Sequence, residues 1–304
     1  MIETNGLTKQ FDDLLAVDSV TLQVEPGEVL ALLGPNGAGK TTTVRMLTSI
    51  LKPTAGSASV AGYDVVKHAQ QVRAHVGILT EAHGLYLRQA GREYLDFYGA
   101  LYGIEAGQRA RRAERLTERF GLLEALDRRI GEYSKGMRQK LALVRALLHD
   151  PPVLLLDEPT SAMDPHSARQ VRDAIKDLRG DGRCIILTTH NLNEAEELAD
   201  RIAIIRKGTI VARGTPLELK ARLLGPPLLE VRFGGEVNGL VENMADLVEI
   251  DSHGHNWVRY RTPEPSRTNP ILIKQLAAEG VDVVTLSEVS QSLEEVYLRV
   301  VNEN

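Results

Sequence analysis

The stretch Gly34-Pro35-Asn36-Gly37-Ala38-Gly39-Lys40-Thr41 decides the fold of this chain. It matches the pattern Gly-x-x-x-x-Gly-Lys-Ser/Thr of a phosphate-binding loop. The glycines let the backbone curl, so that successive N–H groups point into one concavity that binds anions. Lys40 can then reach the β- and γ-phosphates of a nucleotide, and the Thr41 hydroxyl can ligate Mg²⁺. The pattern therefore predicts a nucleoside triphosphate site.

The residues on either side of the loop support this interpretation. The apolar run Val29-Leu30-Ala31-Leu32-Leu33 predicts a fully buried strand before it. A helix is predicted to begin within residues 39–41 and to run to about Leu51, because Pro53 would stop it. A strand, a glycine-rich loop and a helix in this order are the context in which such a loop binds phosphate.

A second stretch, Val153-Leu154-Leu155-Leu156-Asp157-Glu158, predicts a buried strand that ends in two carboxylates. In an open α/β sheet, ligands bind at the carboxyl ends of the strands. Asp157 is suited to a direct or indirect Mg²⁺ contact, and Glu158 to orienting and polarising the attacking water. A strand ending in Asp-Glu is weak support by itself, but beside a phosphate loop it indicates a hydrolytic site.

Composition describes an ordinary globular protein. The chain has 304 residues, of which 43% are apolar and 25% charged, enough for a large domain and a smaller one. The net charge of −5 does not support nucleic-acid binding, which needs a basic face. The arginines between residues 109 and 119 are interpreted as a solvated helix face. The single cysteine, Cys184, excludes an internal disulfide and is expected in the core.

No stretch of the sequence predicts a membrane anchor. The N-terminus lacks the basic and apolar segments of a signal peptide, and no apolar run approaches the roughly 18 residues of a membrane span. We therefore expect a cytoplasmic protein that reaches the membrane only through a partner.

Alternation of strands and helices predicts the fold class, an α/β protein built on a parallel sheet. Strands are expected at Val153–Leu156, Cys184–Leu187 and Ile202–Ile205, with a helix around Ala168–Leu178. Residues 85–148 predict helices instead, with an aromatic stripe that suits core or partner contacts. We therefore expect a P-loop NTPase core with a helical insertion at about residues 82–145.

A domain boundary is expected near Gly225-Pro226-Pro227, with the joint between residues 215 and 228. We divide the chain into residues 1–220 and a small α+β domain, residues 221–304. Strands are predicted there at Leu228–Phe233, Leu247–Ile250, Trp257–Arg261 and Val281–Leu286, with helices at Pro270–Ala278 and from Ser292. The spacing of His253 and His255 only weakly suggests a metal pair.

With these parts in place, residues 1–220 resemble the ATP-binding-cassette family. Tyr133-Ser134-Lys135-Gly136-Met137 is similar to its signature segment Leu-Ser-Gly-Gly-Gln, and Ser161-Ala162-Met163-Asp164 is similar to its D-loop. His190 is placed like the switch histidine, and Phe11 like the aromatic side chain that stacks on adenine. The order and spacing of all the parts are specific, whereas Phe11 or His190 alone would not be.

The resemblance implies that two cassettes close head to tail around ATP, as a homodimer or a pair with a second cassette protein. Glu158 and His190 would be catalytic, and Thr41, Glu81 and Asp157 would hold Mg²⁺. The residues implied to bind the nucleotide are Phe11, Gly34, Pro35, Asn36, Gly37, Ala38, Gly39, Lys40, Thr41, Thr42, Ser134, Gly136 and Asp164.

The chain departs from the family pattern at two places. Glu81 stands where the family usually has a glutamine, and our hypothesis is that it keeps the metal-facing role with an altered Mg²⁺ dependence. Unchanged Mg²⁺ dependence in Glu81→Gln would remove that hypothesis. Lys135 and Met137 differ from the usual signature, while Ser134 and Gly136 are retained.

The single cassette and the tail Ser292–Leu298 look like the ATPase subunits of drug, lipid, polysaccharide or sodium exporters. In them the helical insertion docks on a separate membrane-spanning subunit, so Glu81–Tyr102 is the expected coupling surface. An alternative is a cassette protein acting on ribosomes or DNA, but such relatives usually carry two cassettes or long coiled coils. A small-molecule kinase would leave Ser134–Met137 and His190 unexplained. The C-terminal domain could regulate turnover, strengthen dimerisation or touch the membrane partner, and a purely structural role is equally compatible.

Overall fold

A computed structural model describes residues 1–80, 84–161, 163–237, 239–289 and 291–302, with side chains to residue 300. The chain divides into two compact units, Met1–Pro216 and Leu217–Asn304. Glu81, expected to face the metal, and Ala162 of the D-loop-like segment lie outside the described residues.

The first unit combines two sheets with helices. Its strands are β1 (Ile2–Phe11), β2 (Leu14–Val20), β3 (Gln23–Val24), β4 (Val29–Leu33), β5 (Ala55–Val60), β6 (Tyr63–Asp64), β7 (Val76–Leu79), β8 (Val153–Asp157), β9 (Cys184–Thr189), β10 (Arg201–Arg206) and β11 (Thr209–Gly214). Its helices are α1 (Lys40–Leu47), α2 (Ala69–His75), α3 (Gly91–Leu101), α4 (Ala106–Arg119), α5 (Lys135–Leu147), α6 (Pro165–Gly180) and α7 (Leu192–Leu198). Helix α8 (Pro216–Leu224) follows, and all of it except Pro216 belongs to the second unit.

The predicted parallel sheet is confirmed. Its strand order is β11-β10-β4-β9-β8-β7, in which β10, β4, β9, β8 and β7 pair in parallel and β11 adds an antiparallel edge. Every residue of β4, β8 and β9 is buried, as expected for central strands covered on both faces. These three strands therefore end side by side, where the acidic pair and the phosphate loop emerge.

An antiparallel sheet in the order β2-β1-β5-β6, with β3 on β1, was not predicted. Strand β1 alternates only at its start, because the register shift between Asn5 and Thr8 interrupts the period of two. The partner strand β5 consists of Ala, Gly, Ser and one Val, so its sequence has few large apolar side chains. It pairs with β1, which lies some fifty residues earlier in the sequence. Pairing between such distant segments cannot be recognised from the local sequence of either strand.

The helices agree with the predictions except at their ends. Helix α1 ends at Leu47 rather than about Leu51, because Ser49 takes a left-handed φ of 57° and the Thr48 hydroxyl bonds to Val44 O. Residues 85–148 are largely helical as predicted, with α3, α4 and α5 joined by 3₁₀ turns at Leu123–Ala125 and Ile130–Glu132.

The second unit is an α+β domain. Its elements are β12 (Leu228–Phe233), α9 (Leu240–Ala245), β13 (Glu249–His253), β14 (Trp257–Arg261), α10 (Pro265–Ala278), β15 (Val283–Glu288) and α11 (Leu293–Asn302). The sheet order is β13-β14-β12-β15, all antiparallel, over a core that includes Val231, Met244, Tyr260 and Leu272.

This domain differs from the sequence expectation in two strands and two helices. Strand β13 spans Glu249–His253 rather than Leu247–Ile250, and β15 spans Val283–Glu288 rather than Val281–Leu286. Helix α9 was not predicted, and α10 begins at Pro265 rather than Pro270, because Pro265 takes the favoured first position of a helix. His253 ends β13, and among the described residues no group of three or more His, Cys, Asp or Glu could hold a metal ion. In the described part of the chain, no helix is both long and apolar enough to span a membrane.

Candidate active site

The phosphate loop joins β4 to α1. Two of its positions require glycine, because neighbouring backbone atoms lie too close to leave room for a side chain. A Cβ on Gly34 would lie 2.3 Å from the Ile205 carbonyl oxygen, and one on Gly39 would lie 2.6 Å from the Ala16 carbonyl oxygen. Gly39 also has a φ of 108°, which other residues rarely adopt. It begins α1 without a side-chain cap, so the first N–H groups of the helix can bind an anion.

Lys40 lies inside the loop. Its Nζ donates hydrogen bonds to Gly34 O at 2.6 Å and to Pro35 O at 3.2 Å. Burial lowers the pKa of Lys40, whereas the carboxylates of Glu158 and Asp157 act in the opposite direction and favour the charged form. The ammonium group is therefore held between the phosphate loop and the acidic pair.

Asp157 connects the ends of three elements. The Thr41 hydroxyl at the start of α1 donates to Asp157 Oδ2 at 3.1 Å, and the Thr188 hydroxyl from β9 donates to Asp157 Oδ1. Asp157 itself is buried at the end of β8. A hydroxyl and a carboxylate side by side are the hard oxygen ligands that Mg²⁺ prefers.

Glu158 follows immediately, in a left-handed conformation with a φ of 50°. Its N–H donates to Thr188 O at 3.0 Å, and its carboxylate lies 2.8 Å from His190 Nδ1. An ionised carboxylate can only accept, so this contact favours the imidazole tautomer or ion with a proton on Nδ1. The buried amide of Gln139 in α5 donates from behind to Glu158 O at 3.2 Å and to Pro159 O at 3.1 Å.

The phosphate loop, Asp157, Glu158 and His190 line one cavity of about 680 Å³. Phe11 borders it with 41% of its surface exposed, and Lys9 Nζ lies 5.0 Å from the centre of the ring. The remaining wall is formed by Leu14, Leu15, Ala16, Pro35, Asn36, Gly37, Ala38, Gly39, Lys40, Thr41, Thr42, Asp157, Glu158, Ser161, His190 and Lys207.

Sequence reasoning missed Leu14, Leu15, Ala16 and Lys207 in this wall. Leu14 and Leu15 are exposed apolar side chains close to Phe11, and an apolar pair after the turn at Asp12-Asp13 could have indicated them. Lys207 gave no local signal, because its place beside the phosphate loop comes from the bond between Gly208 N–H and Ala38 O.

Ser134, Gly136 and Asp164 form a separate group in the chain. The Ser134 hydroxyl caps α5 by accepting from Met137 N–H at 3.2 Å, and the Asp164 carboxylate caps α6 by accepting from Ser167 N–H at 2.9 Å. That backbone bond lowers the pKa of Asp164. A Cβ on Gly136 would lie 3.8 Å from Asp164 Oδ2, so the two helix N-termini are neighbours.

The chain is similar to known proteins along most of its length. Residues 17–161 match the family model described as ABC transporter. The daunorubicin/doxorubicin resistance ATP-binding protein DrrA of Streptomyces peucetius is 36% identical over 306 residues, 98% of this chain and 91% of the relative. The Nod factor export ATP-binding protein I of Cupriavidus metallidurans is 33% identical over 299 residues, 98% of this chain and 96% of the relative.

Solved structures resemble the cassette part. One described as an ATP-binding subunit of an ABC transporter is 29% identical, with a TM-score of 0.69 over 74% of this chain and 94% of that one. A dimeric ATP-binding cassette bound to ADP and phosphate, 23% identical, shows the same fold, with a TM-score of 0.66 over 71% of this chain and 98% of that one. Because relatives above 30% identity extend over almost the whole sequence, the chain belongs to the ATP-binding-cassette transporter family, as an ATP-binding subunit that hydrolyses ATP.

Proposed function

We propose that this chain powers an exporter: two cassettes close around ATP and drive a separate membrane-spanning subunit on the cytoplasmic face of the membrane. The observation that carries this proposal is the resemblance over 98% of the chain to relatives named for drug resistance and Nod factor export. That similarity includes the residues after the cassette, which an ATPase of another kind would not need to share.

We assign nucleotide binding to the cavity around the phosphate loop. The N–H groups at the start of α1 and the Lys40 ammonium would bind the phosphates, and Phe11 would stack on the adenine. Thr41 and Asp157 fit Mg²⁺, since their oxygen atoms lie 3.1 Å apart beside the loop. When bound, Mg²⁺ offsets the negative charge of the β- and γ-phosphates.

We assign the hydrolytic step to Glu158 and His190. Glu158 orients a water whose oxygen attacks the γ-phosphorus, the bond to the β–γ bridging oxygen breaks, and a water proton passes to the carboxylate. His190, whose Nδ1 lies 2.8 Å from Glu158, fixes the direction of that carboxylate; with a second proton on Nε2, the imidazolium can also donate to a phosphate oxygen. Lys40 stabilises the charge that moves to the leaving group.

Dimer closure would complete the site. The N-terminus of the helix Lys135–Leu147, with Ser134 and Gly136, is suited to binding a γ-phosphate held by the other cassette. Asp164, on the neighbouring helix N-terminus, would lie at the same interface. Ser134, Gly136 and Asp164 do not line the nucleotide cavity of their own chain. In a head-to-tail dimer they would instead contact the nucleotide bound to the partner cassette.

The membrane partner would dock on apolar side chains on and beside α3, which we call the α3 surface. Its members are Tyr86, Leu87, Phe97, Leu101 and Tyr102, all 40% exposed or more. The rings of Tyr86 and Phe97 meet edge to face with their centres 6.3 Å apart, so these two side chains are in contact. An exposed apolar patch of this kind marks a protein contact.

Three of the five arginines in helix α4 give no support to the ribosome or DNA alternative. Arg109 pairs with Asp96, Arg119 pairs with Asp177, and Arg112 donates to Leu148 O. Those three arginines are satisfied within the chain itself, so they do not present a free basic face to phosphates.

The test is capture of the chain from its native membranes in mild detergent, followed by mass spectrometry of the proteins retained. We expect a polytopic membrane protein that remains bound without crosslinking. Recovery of ribosomal proteins or DNA without a membrane protein would overturn the transport proposal and leave ATP hydrolysis standing.

A further inference from the structure

We propose that Glu194 is a positioning residue that holds the two catalytic loops at a fixed separation. One of these loops carries Glu158 and the other carries His190. The inference rests on the hydrolytic roles proposed for those two residues and gives a role to a buried carboxylate that the mechanism has not used.

The geometry is a two-sided bridge. Glu194 lies in α7 and is only 3% exposed. Its Oε1 accepts from the Thr160 hydroxyl at 2.6 Å, and its Oε2 accepts from the Thr189 hydroxyl at 2.7 Å. Thr160 comes two residues after Glu158, and Thr189 comes directly before His190. Each oxygen of one carboxylate therefore fixes a different catalytic loop.

The base of the bridge is itself fixed. Asn191 caps α7 by accepting from Glu194 N–H at 3.2 Å, and Asn191 N–H donates to the Thr189 hydroxyl at 3.0 Å. The neighbours Ala195 and Leu198 are buried, which anchors the helix against the sheet. Because the Thr189 hydroxyl accepts from Asn191, its single proton is available for Glu194.

The need for such a bridge follows from the strain at Glu158. A non-glycine residue with a φ of 50° keeps that conformation only where its surroundings fix it. Gln139 holds Glu158 O and Pro159 O from the side of α5. Glu194 holds the next residue, Thr160, from the side of α7. The loop is thus fixed from two directions, with its carboxylate directed at His190.

We infer that Glu194 contributes by orienting the two catalytic loops rather than by filling space in the core. Burial raises the pKa of Glu194, and the hydroxyl bonds from Thr160 and Thr189 lower it. A buried carboxylate costs free energy that an apolar side chain of similar size would not. What the carboxylate adds is two directional bonds, one to each loop.

The first test replaces Glu194 by residues of similar size. We expect Glu194→Met to lower kcat for ATP hydrolysis about 10- to 100-fold, as for a misplaced catalytic group. The KM for ATP should change less than about twofold, because Glu194 does not line the nucleotide cavity. Glu194→Gln should retain most of the activity, because its carbonyl can accept from Thr189 while its amide donates to the Thr160 oxygen.

The matched control is Glu197→Met on the same helix. Glu197 is exposed and pairs at the surface with Arg172 and Lys176, so its loss should leave kcat unchanged. Thr160→Val keeps the side-chain shape and removes one bond of the bridge, whereas Thr189→Val would also remove the acceptor of the Asn191 N–H. Thr160→Val should lower kcat alone and should not lower it further in the Glu194→Met background.

Three outcomes would overturn the bridge: wild-type kcat in folded Glu194→Met, a Glu194→Gln as inactive as Glu194→Met, or a Thr160→Val effect that adds fully to that of Glu194→Met. Glu158→Gln, assayed alongside, separates the two levels of inference. If Glu158→Gln stays active, the proposed catalytic roles fail. If Glu158→Gln loses turnover while Glu194→Met keeps it, those roles stand and the bridge fails.

Discussion

At the scale of single residues, the site concentrates features that cost stability elsewhere in a protein. Glu158 has a left-handed backbone, which for a non-glycine residue costs about 1–3 kcal/mol. Lys40 and Asp157 are buried charged groups a short distance away. They are compensated by hydrogen bonds, from Lys40 to loop carbonyls and to Asp157 from two threonines. In this left-handed conformation, the Glu158 side chain lines the nucleotide cavity.

Glu158→Gln should keep ATP binding and lose hydrolysis by about 100-fold or more, because an amide cannot take the water proton. Bound ATP that is not hydrolysed should hold two cassettes together. Phosphate release and light scattering with ATP would measure both effects. Robust hydrolysis by Glu158→Gln would contradict the catalytic assignment. A monomer at saturating ATP would contradict the proposed dimer.

Lys40→Ala should weaken ATP binding about 10- to 100-fold, because charge-assisted hydrogen bonds contribute roughly 1.5–3 kcal/mol. Fluorescent-nucleotide titration would measure the affinity. Lys52→Ala is the matched control, since Lys52 is exposed and does not line the cavity. Wild-type affinity in Lys40→Ala would count against the assignment of the phosphate loop.

At the scale of elements, three adjacent parallel strands deliver the chemistry. Strand β4 leads into the phosphate loop, β8 ends at Asp157 before Glu158, and β9 ends at Thr189 before His190. Because parallel strands end at the same edge, residues more than a hundred positions apart meet in one cavity. Helix α7 returns to this edge and supplies Glu194.

Strand β9 also makes a test of the sheet possible. Cys184 is fully buried at its start, and burial raises the pKa of the thiol to about 12. Since the thiolate is the reactive form, we expect no reaction with a disulfide reagent at pH 8 in the native protein and complete reaction in denaturant. Rapid labelling of the folded chain would show that the strand is not covered as described.

At the scale of the whole molecule, the proposed exporter requires a partner on the α3 surface. Changing Phe97 and Leu101 together to Ser should abolish capture of the membrane protein, because 43% and 68% of these side chains are exposed rather than built into the core. The thermal midpoint should change little for the same reason. Ile50→Ser, at a 61% exposed position outside the α3 surface, should keep the capture. Equal loss in both variants would contradict a specific docking site.

Much of the fold was determined by local sequence. The apolar runs of β4, β8 and β9 are continuous because both faces of these strands are buried, so their position and parallel pairing could be predicted. The phosphate loop could be predicted because the required glycines and lysine are consecutive. The placement of Asp157 and Glu158 beside the phosphate loop followed from the rule that parallel strands share a carboxyl edge, whereas His190 was expected there only from the resemblance to the ATP-binding-cassette family.

Only the tertiary structure decided the features that have no periodic pattern of apolar residues in the sequence. The antiparallel sheet depends on pairing between β1 and β5, whose residues alternate too weakly to predict it. The bridge of Glu194 to Thr160 and Thr189 combines residues that are unremarkable singly and come together only when α7 folds back on the sheet. Local patterns record which side chains are buried; which loops a buried group joins depends on contacts between distant segments, and those exist only in the folded chain.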